Sequence, residues 1–190
     1  TRTPSRKNQM KPKRVDPAKV IQLIAALNAA IWLGGAVFFT FIAGPAFFSP
    51  DLEPILPKPE NGIAARYLIG KFAAFQIACA SIAIISLAIG WRWNAHHNQK
   101  PHALLLIGII LLIVTGILLL TPKMDTAHHL KYADYFGLQA TTEKKDAASR
   151  TFGQLHGLSQ VGNLLVLISL LVNFILCWKT ATEPRETKAN

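Results

Sequence analysis

The sequence predicts an all-α integral membrane protein: a four-helix bundle with both termini in the cytoplasm. Three observations predict it. Four apolar runs, nearly free of charge, are long enough to cross the hydrocarbon core, which takes about 20 helical residues. Charged residues make up 16% of the 190-residue chain and gather in tails and connections, whereas soluble domains carry about 25%. None of the runs alternates with period two, which argues against a barrel, the other spanning structure that satisfies its backbone in lipid.

The spans fall at about residues 20–43, 70–91, 103–120 and 156–178, making 20–178 one transmembrane domain between a basic tail (1–19) and a second tail (179–190). The first apolar run continues to residue 50, but Gly44-Pro45 is expected to end or bend its helix, because proline lacks an amide proton and clashes with the preceding turn. That run is too long for a signal-peptide core of about 7–15 residues, so it reads as an uncleaved span. Pro45, Pro50, Pro54, Pro57 and Pro59 predict an irregular connection to the second span. Arg92, His96, His97 and Lys100 separate spans two and three, which form a tight hairpin. Thr121-Pro122 is expected to stop the third span. In the long connection that follows, residues 141–150 predict a short amphipathic helix, with Thr142 as a candidate cap before Glu143.

Orientation follows from the basic residues. With the N-terminus inside, the inner segments carry twelve Lys and Arg against three acids, and the outer segments eight against seven. Seven of the twelve precede the first span, and basic segments stay cytoplasmic. The expectation is therefore a multi-pass protein of the cell membrane with both termini cytoplasmic. The net charge of +10 serves this bias rather than nucleic-acid binding, since no basic stripe with interleaved aromatics occurs. Cys79 and Cys177 each lie within an apolar run without a CxxC partner, so neither a disulfide framework nor a zinc site is indicated.

Helices in lipid associate through small residues and polar contacts. Ala26, Ala30 and Gly34 on the first span, Gly70, Ala74 and Ala78 on the second, and Gly153 and Gly157 before the fourth have helix-contact spacing. The first span also carries Asn28, Trp32 and Gly35 on one face, and the second carries Gln76 and Ser81. His156, Gln160 and Asn163 share a face of the fourth helix and are expected to look into the bundle, because buried polar groups need partners. An interhelical hydrogen-bond clamp is the structural reading of that face, and a ligand or proton site is the functional one.

Trp32-Leu33-Gly34-Gly35-Ala36-Val37-Phe38-Phe39, followed by Ala43-Gly44-Pro45-Ala46-Phe47, resembles the first-helix signature of an uncharacterised family of small four-helix membrane proteins. An animal relative of that family is a transmembrane protein linked to platinum-drug resistance. Leu155-His156-Gly157 with Ser159 and Asn163 is similar to the family's second signature, at the start of the last helix. The resemblance implies four spans and no established reaction. It departs at the His128-His129 pair in the long connection.

No GxSxG, Walker A or HExxH motif is present, and no acidic pair lies inside the spans, so an enzyme is not expected. The first functional expectation is a non-catalytic accessory or stabilising subunit, surrounded by membrane lipids and packed against other integral membrane subunits. A second is a tetrapyrrole or pigment protein, binding haem or chlorophyll through the outer histidines His156, His129 and His128. A third, drawn from the resemblance, is a transporter or resistance factor. A metal site built from Asp125, His128 and His129 is weaker, because adjacent histidines point apart.

Overall fold

A computed structural model of the chain describes residues 16–92 and 99–183. The tail up to residue 15, His96 and His97 in the connection between spans two and three, and the last seven residues lie outside the described residues. The described chain is all-helical. Four helices are long and apolar enough to cross a membrane: α1 (Pro17–Ala46), α2 (Glu60–Arg92), α3 (Lys100–Lys131) and α4 (Thr142–Thr182).

Every one of these helices is longer than the span predicted for it. α1 opens at Asp16, whose side chain accepts from the Ala18 amide at 3.0 Å, with Pro17 preset for the first turn. It does not stop before Gly44-Pro45. Residues Phe39–Ala43 widen into a π-turn, the Gly44 amide reaches back to the Phe39 carbonyl, and helix resumes through Ala46. α3 does the same. Residues Gly116–Leu120 form a π-turn, Thr121 reaches back to the Gly116 carbonyl, and the helix runs past Pro122 to Lys131. The Thr121 hydroxyl donates a second bond to that carbonyl at 3.0 Å. The expected stop at Thr121-Pro122 is therefore wrong. A widened turn moves the carbonyl that a proline ring would strike and lets the backbone bond to itself around the missing donor. In lipid, such a repair is favoured over an exposed helix end.

The short helix expected at 141–150 is not separate. It forms the first turns of α4, which begins after Thr141, whose side chain accepts from the Lys144 amide, and runs unbroken for 41 residues. At 1.5 Å per residue α4 is about 60 Å long, twice the hydrocarbon thickness, so its charged first turns stand clear of the apolar run. The irregular connection is also shorter than expected, because helix resumes at Glu60, ten residues before the predicted span.

α1 is the most enclosed of the four helices and α3 the least. Ala25, Ala29, Trp32 and Ala36 recur on one stripe of α1 and are all buried. Trp32 and Ala36 pack with Cys79 of α2, Leu106 and Ile109 of α3, and Val166, Leu167 and Leu170 of α4. Ala25, Ala26 and Ala29 pack against Cys177. Small residues let α4 approach α1 closely, which supplies the van der Waals contact that replaces the hydrophobic drive in lipid.

Candidate functional site

Several polar side chains within the spans tie one helix to another. The Asn28 side chain donates to the Cys79 carbonyl at 3.0 Å, tying α1 to α2. Asn163 donates to the Thr40 hydroxyl at 2.8 Å, tying α4 to the π-turn of α1. Nearer the termini, His102 and Asn173 meet at 2.9 Å, with the Cys177 sulfur 3.7 Å from the same ring nitrogen. Asn173 is 1% exposed. The sequence reading overlooks this last clamp, although an asparagine alone in an apolar run is the same signal that singles out Asn163. Buried Gln22 is overlooked for the same reason. Gln76 is buried in α2, and Trp32 is wholly buried with no partner for its indole N–H.

The face expected from His156, Gln160 and Asn163 does not look into the bundle as a unit. Asn163 is half-buried, but His156 and Gln160 are exposed and bond to each other at 3.1 Å. The α4 residues that turn inwards are Val166, Leu167, Leu170 and Asn173, so the burial stripe leaves the His156 side of the helix outside. Gly34 and Gly35 also separate. A methyl group on Gly35 would come within 2.6 Å of the Phe75 ring, whereas one on Gly34 would meet nothing within 4 Å.

His128, His129 and His156 lie at the end of the bundle where α1 joins α2 and α3 joins α4, with the Phe152 ring between His128 and His156. This cap combines the first turns of α2, the polar end of α3, the bend over residues 132–138 and the start of α4. The charge-free run of α3 ends at Leu120, so the turns carrying Lys123, Asp125, His128, His129 and Lys131 stand beyond the hydrocarbon. His128 lies among Tyr132, Phe136 and Phe152, at ring distances of 5.0, 6.1 and 5.6 Å. Phe152 in turn stacks on His156 at 6.0 Å. The His128 Nε2 sits 2.7 Å from where a Gly62 side chain would begin, so glycine is required for α2 to pass this close. Gly137, at φ 65°, supplies the left-handed residue that turns the chain towards α4.

Charge pairs surround these rings. Asp125 pairs with Arg66 of α2 and lies 3.3 Å from His129, whose Nδ1 also contacts the Asp125 carbonyl at 2.8 Å. Lys145 of α4 bonds to both carboxylate oxygens of Asp134, and Lys131 lies over the rings of Tyr132 and Phe152. Loss of hydration holds the His128 imidazole below its ordinary pKa, with His129 and Lys131 adding repulsion, so the ring is neutral at pH 7. The His128 and His129 rings are inclined at 85°, and among the described residues no group of three or more His, Cys, Asp or Glu is placed to hold a metal.

The profile of DUF4149, a domain of unknown function, matches residues 27–133, more than half of the chain. The chain belongs to the DUF4149 family. The DUF4149 match takes in α1 from Leu27, all of α2 and all of α3, including both π-turns, and ends at the buried Ala133 just beyond α3. It therefore contains the first of the two segments behind the resemblance, whereas Leu155 to Asn163 lies outside it. No curated protein and no solved structure matches the chain.

Proposed function

We propose that this DUF4149 chain is a non-catalytic accessory subunit that packs against other integral membrane proteins. One observation carries the reading. Most of the small residues with helix-contact spacing face out of the bundle. Ala30 and Gly34 on α1, Gly70, Ala74 and Ala78 on α2, and Gly153 and Gly157 on α4 are exposed. Stripes of this kind let a second backbone approach closely in lipid. Inside the bundle, the asparagines and His102 are already engaged in tying helix to helix. Purification in mild detergent with mass spectrometry of co-purifying chains tests the proposal. The expected outcome is a stoichiometric membrane partner that crosslinks through photoreactive residues at positions 34 or 74. A monodisperse monomer with no crosslinked partner would sink it.

The charge bias further supports a position in the cell membrane with both termini cytoplasmic. Reporter fusions at the C-terminus and within the 47–59 connection read this directly.

A second reading, tetrapyrrole binding, draws on the convergence of His128, His129 and His156 with three aromatic rings. Pigment extraction and a reduced-minus-oxidised spectrum of the purified protein decide it, and absence of any Soret or chlorophyll band rejects it. A transporter or resistance role draws on the two interrupted helices, since broken helices line transporter sites. Liposome flux unaffected by Asn163→Ala would count against a path at that level.

A further inference from the structure

The cap contains a groove of about 590 Å³, within the size range of small-molecule sites. Its floor is one face of the first turns of α2. Glu60, Ile63, Ala64, Tyr67 and Leu68 follow the spacing of a single helical stripe, with Phe47 and Tyr135 as walls. Glu60 is the one charged residue of this lining, and its Oε2 is shielded from solvent and has no hydrogen-bond partner. A carboxylate oxygen in apolar surroundings is costly to leave without a donor. Neighbouring cations are engaged elsewhere. Lys58 pairs with Glu53, Arg66 with Asp125 and Lys145 with Asp134, and Lys71 lies over the Tyr67 ring at 5.2 Å. Loss of hydration, the Glu60 charge and a side-chain hydrogen bond with the Glu60 carboxylate together raise the phenol pKa of Tyr135.

The geometry points to a phospholipid site in which Glu60 receives the primary ammonium of an ethanolamine-type headgroup and an acyl chain follows Ile63, Ala64 and Leu68 towards the apolar core. Each part of the lining selects for this. The carboxylate disfavours anionic headgroups. A trimethylammonium head carries no N–H to give to Oε2, whereas a primary ammonium carries three. Tyr135 adds a ring face that attracts a cation, and both tyrosines suit the membrane interface. The stripe starts in the polar cap and descends along α2 into its apolar run, the course of a lipid rather than of a soluble amine. The site goes beyond the accessory role and does not require the partner invoked there.

Native mass spectrometry of the full chain, exchanged into equal mixtures of phosphatidylethanolamine, phosphatidylcholine and phosphatidylglycerol with matched acyl chains, tests the site. Ethanolamine lipid is expected to be retained in preference to the other two. Glu60→Ala should lower that preference about tenfold, the loss of one charge-assisted hydrogen bond. Ala64→Phe, which fills the groove and leaves the carboxylate in place, should lower it as well, and it decides the matter if Glu60→Ala fails to fold. Equal retention of ethanolamine and choline lipids by the unmodified chain overturns the assignment. So does a preference that survives Ala64→Phe.

Discussion

The side-chain amide of Asn163 donates to the Thr40 hydroxyl at 2.8 Å, joining the fourth helix to the π-turn of the first. The bond lies within the spans, where water competes little for either group, although alternative partners in the unfolded-in-membrane state limit its net value to about 1 kcal/mol. Asn163→Ala and Thr40→Val should each lower stability by about that amount, and the double substitution by less than the sum. Denaturation in mixed detergent micelles, followed by circular dichroism, measures all three. Additive losses would mean that the two side chains act separately.

Gly34 and Gly35 are neighbours with opposite surroundings, so the same substitution should give opposite results. Gly35→Ala drives a methyl group into the Phe75 ring and forces either the ring or α1 to shift, at a cost of about 1–3 kcal/mol. Gly34→Ala meets nothing and gains helix propensity, so the isolated chain should be unchanged or slightly more stable. Thermal unfolding of both variants in detergent separates them. If a partner packs on this face, Gly34→Leu should abolish its co-purification while leaving the unfolding of the isolated chain intact.

The four spans were legible because a charge-free run of sufficient length has few alternatives in a membrane. Their ends were not. Thr121-Pro122 reads as a stop by local chemistry, yet a π-turn precedes the proline and the helix continues to Lys131, whereas at Gly44-Pro45 a π-turn precedes the proline and the helix ends one residue later, at Ala46. Asn28 and Trp32 share a face of α1 by their spacing, and that face is on the buried stripe of the helix. His156 and Gln160 misled, because a spacing of four says that two residues share a face but not which way the face turns. The inward side of α4 is set instead by where Leu167, Leu170 and Asn173 fit against α1 and α3. The clustering of His128 with Phe152 and His156 required knowing that α4 starts at Thr142, since an unbroken helix is what carries Phe152 back to the end of α3.

Gly62 lets α2 pass His128, and the cap should fail where that passage is blocked. Gly62→Ala places a methyl group 2.7 Å from the His128 Nε2, so the imidazole must leave its position among Tyr132, Phe136 and Phe152. Hydrogen exchange over residues 132–138 should rise, while exchange in the buried parts of α1 and α4 stays as it was. Removing the obstructing ring in the double variant Gly62→Ala/His128→Ala should bring the two helices back together and recover part of the protection. No recovery would show that the cap depends on the ring itself rather than on the fit between ring and glycine.

The cap should also loosen in acid, and the sign follows from His128. Its pKa lies below the ordinary 6.5, first because burial strips its hydration and then because His129, Lys131 and Arg66 oppose a positive charge more than Asp125 favours one. The unfolded segment therefore binds the proton more readily than the folded one. Above pH 6.5 the ring is neutral in both states and the full stability of the cap is present. As pH falls below that value the unfolded segment gains protons first, and stability declines. Hydrogen exchange over residues 132–138, corrected for the intrinsic pH dependence of exchange, should show less protection at pH 5.5 than at pH 7.5. His128→Gln keeps a polar side chain that does not titrate and should flatten the difference. An undiminished acid effect in His128→Gln would rule out His128 as its source.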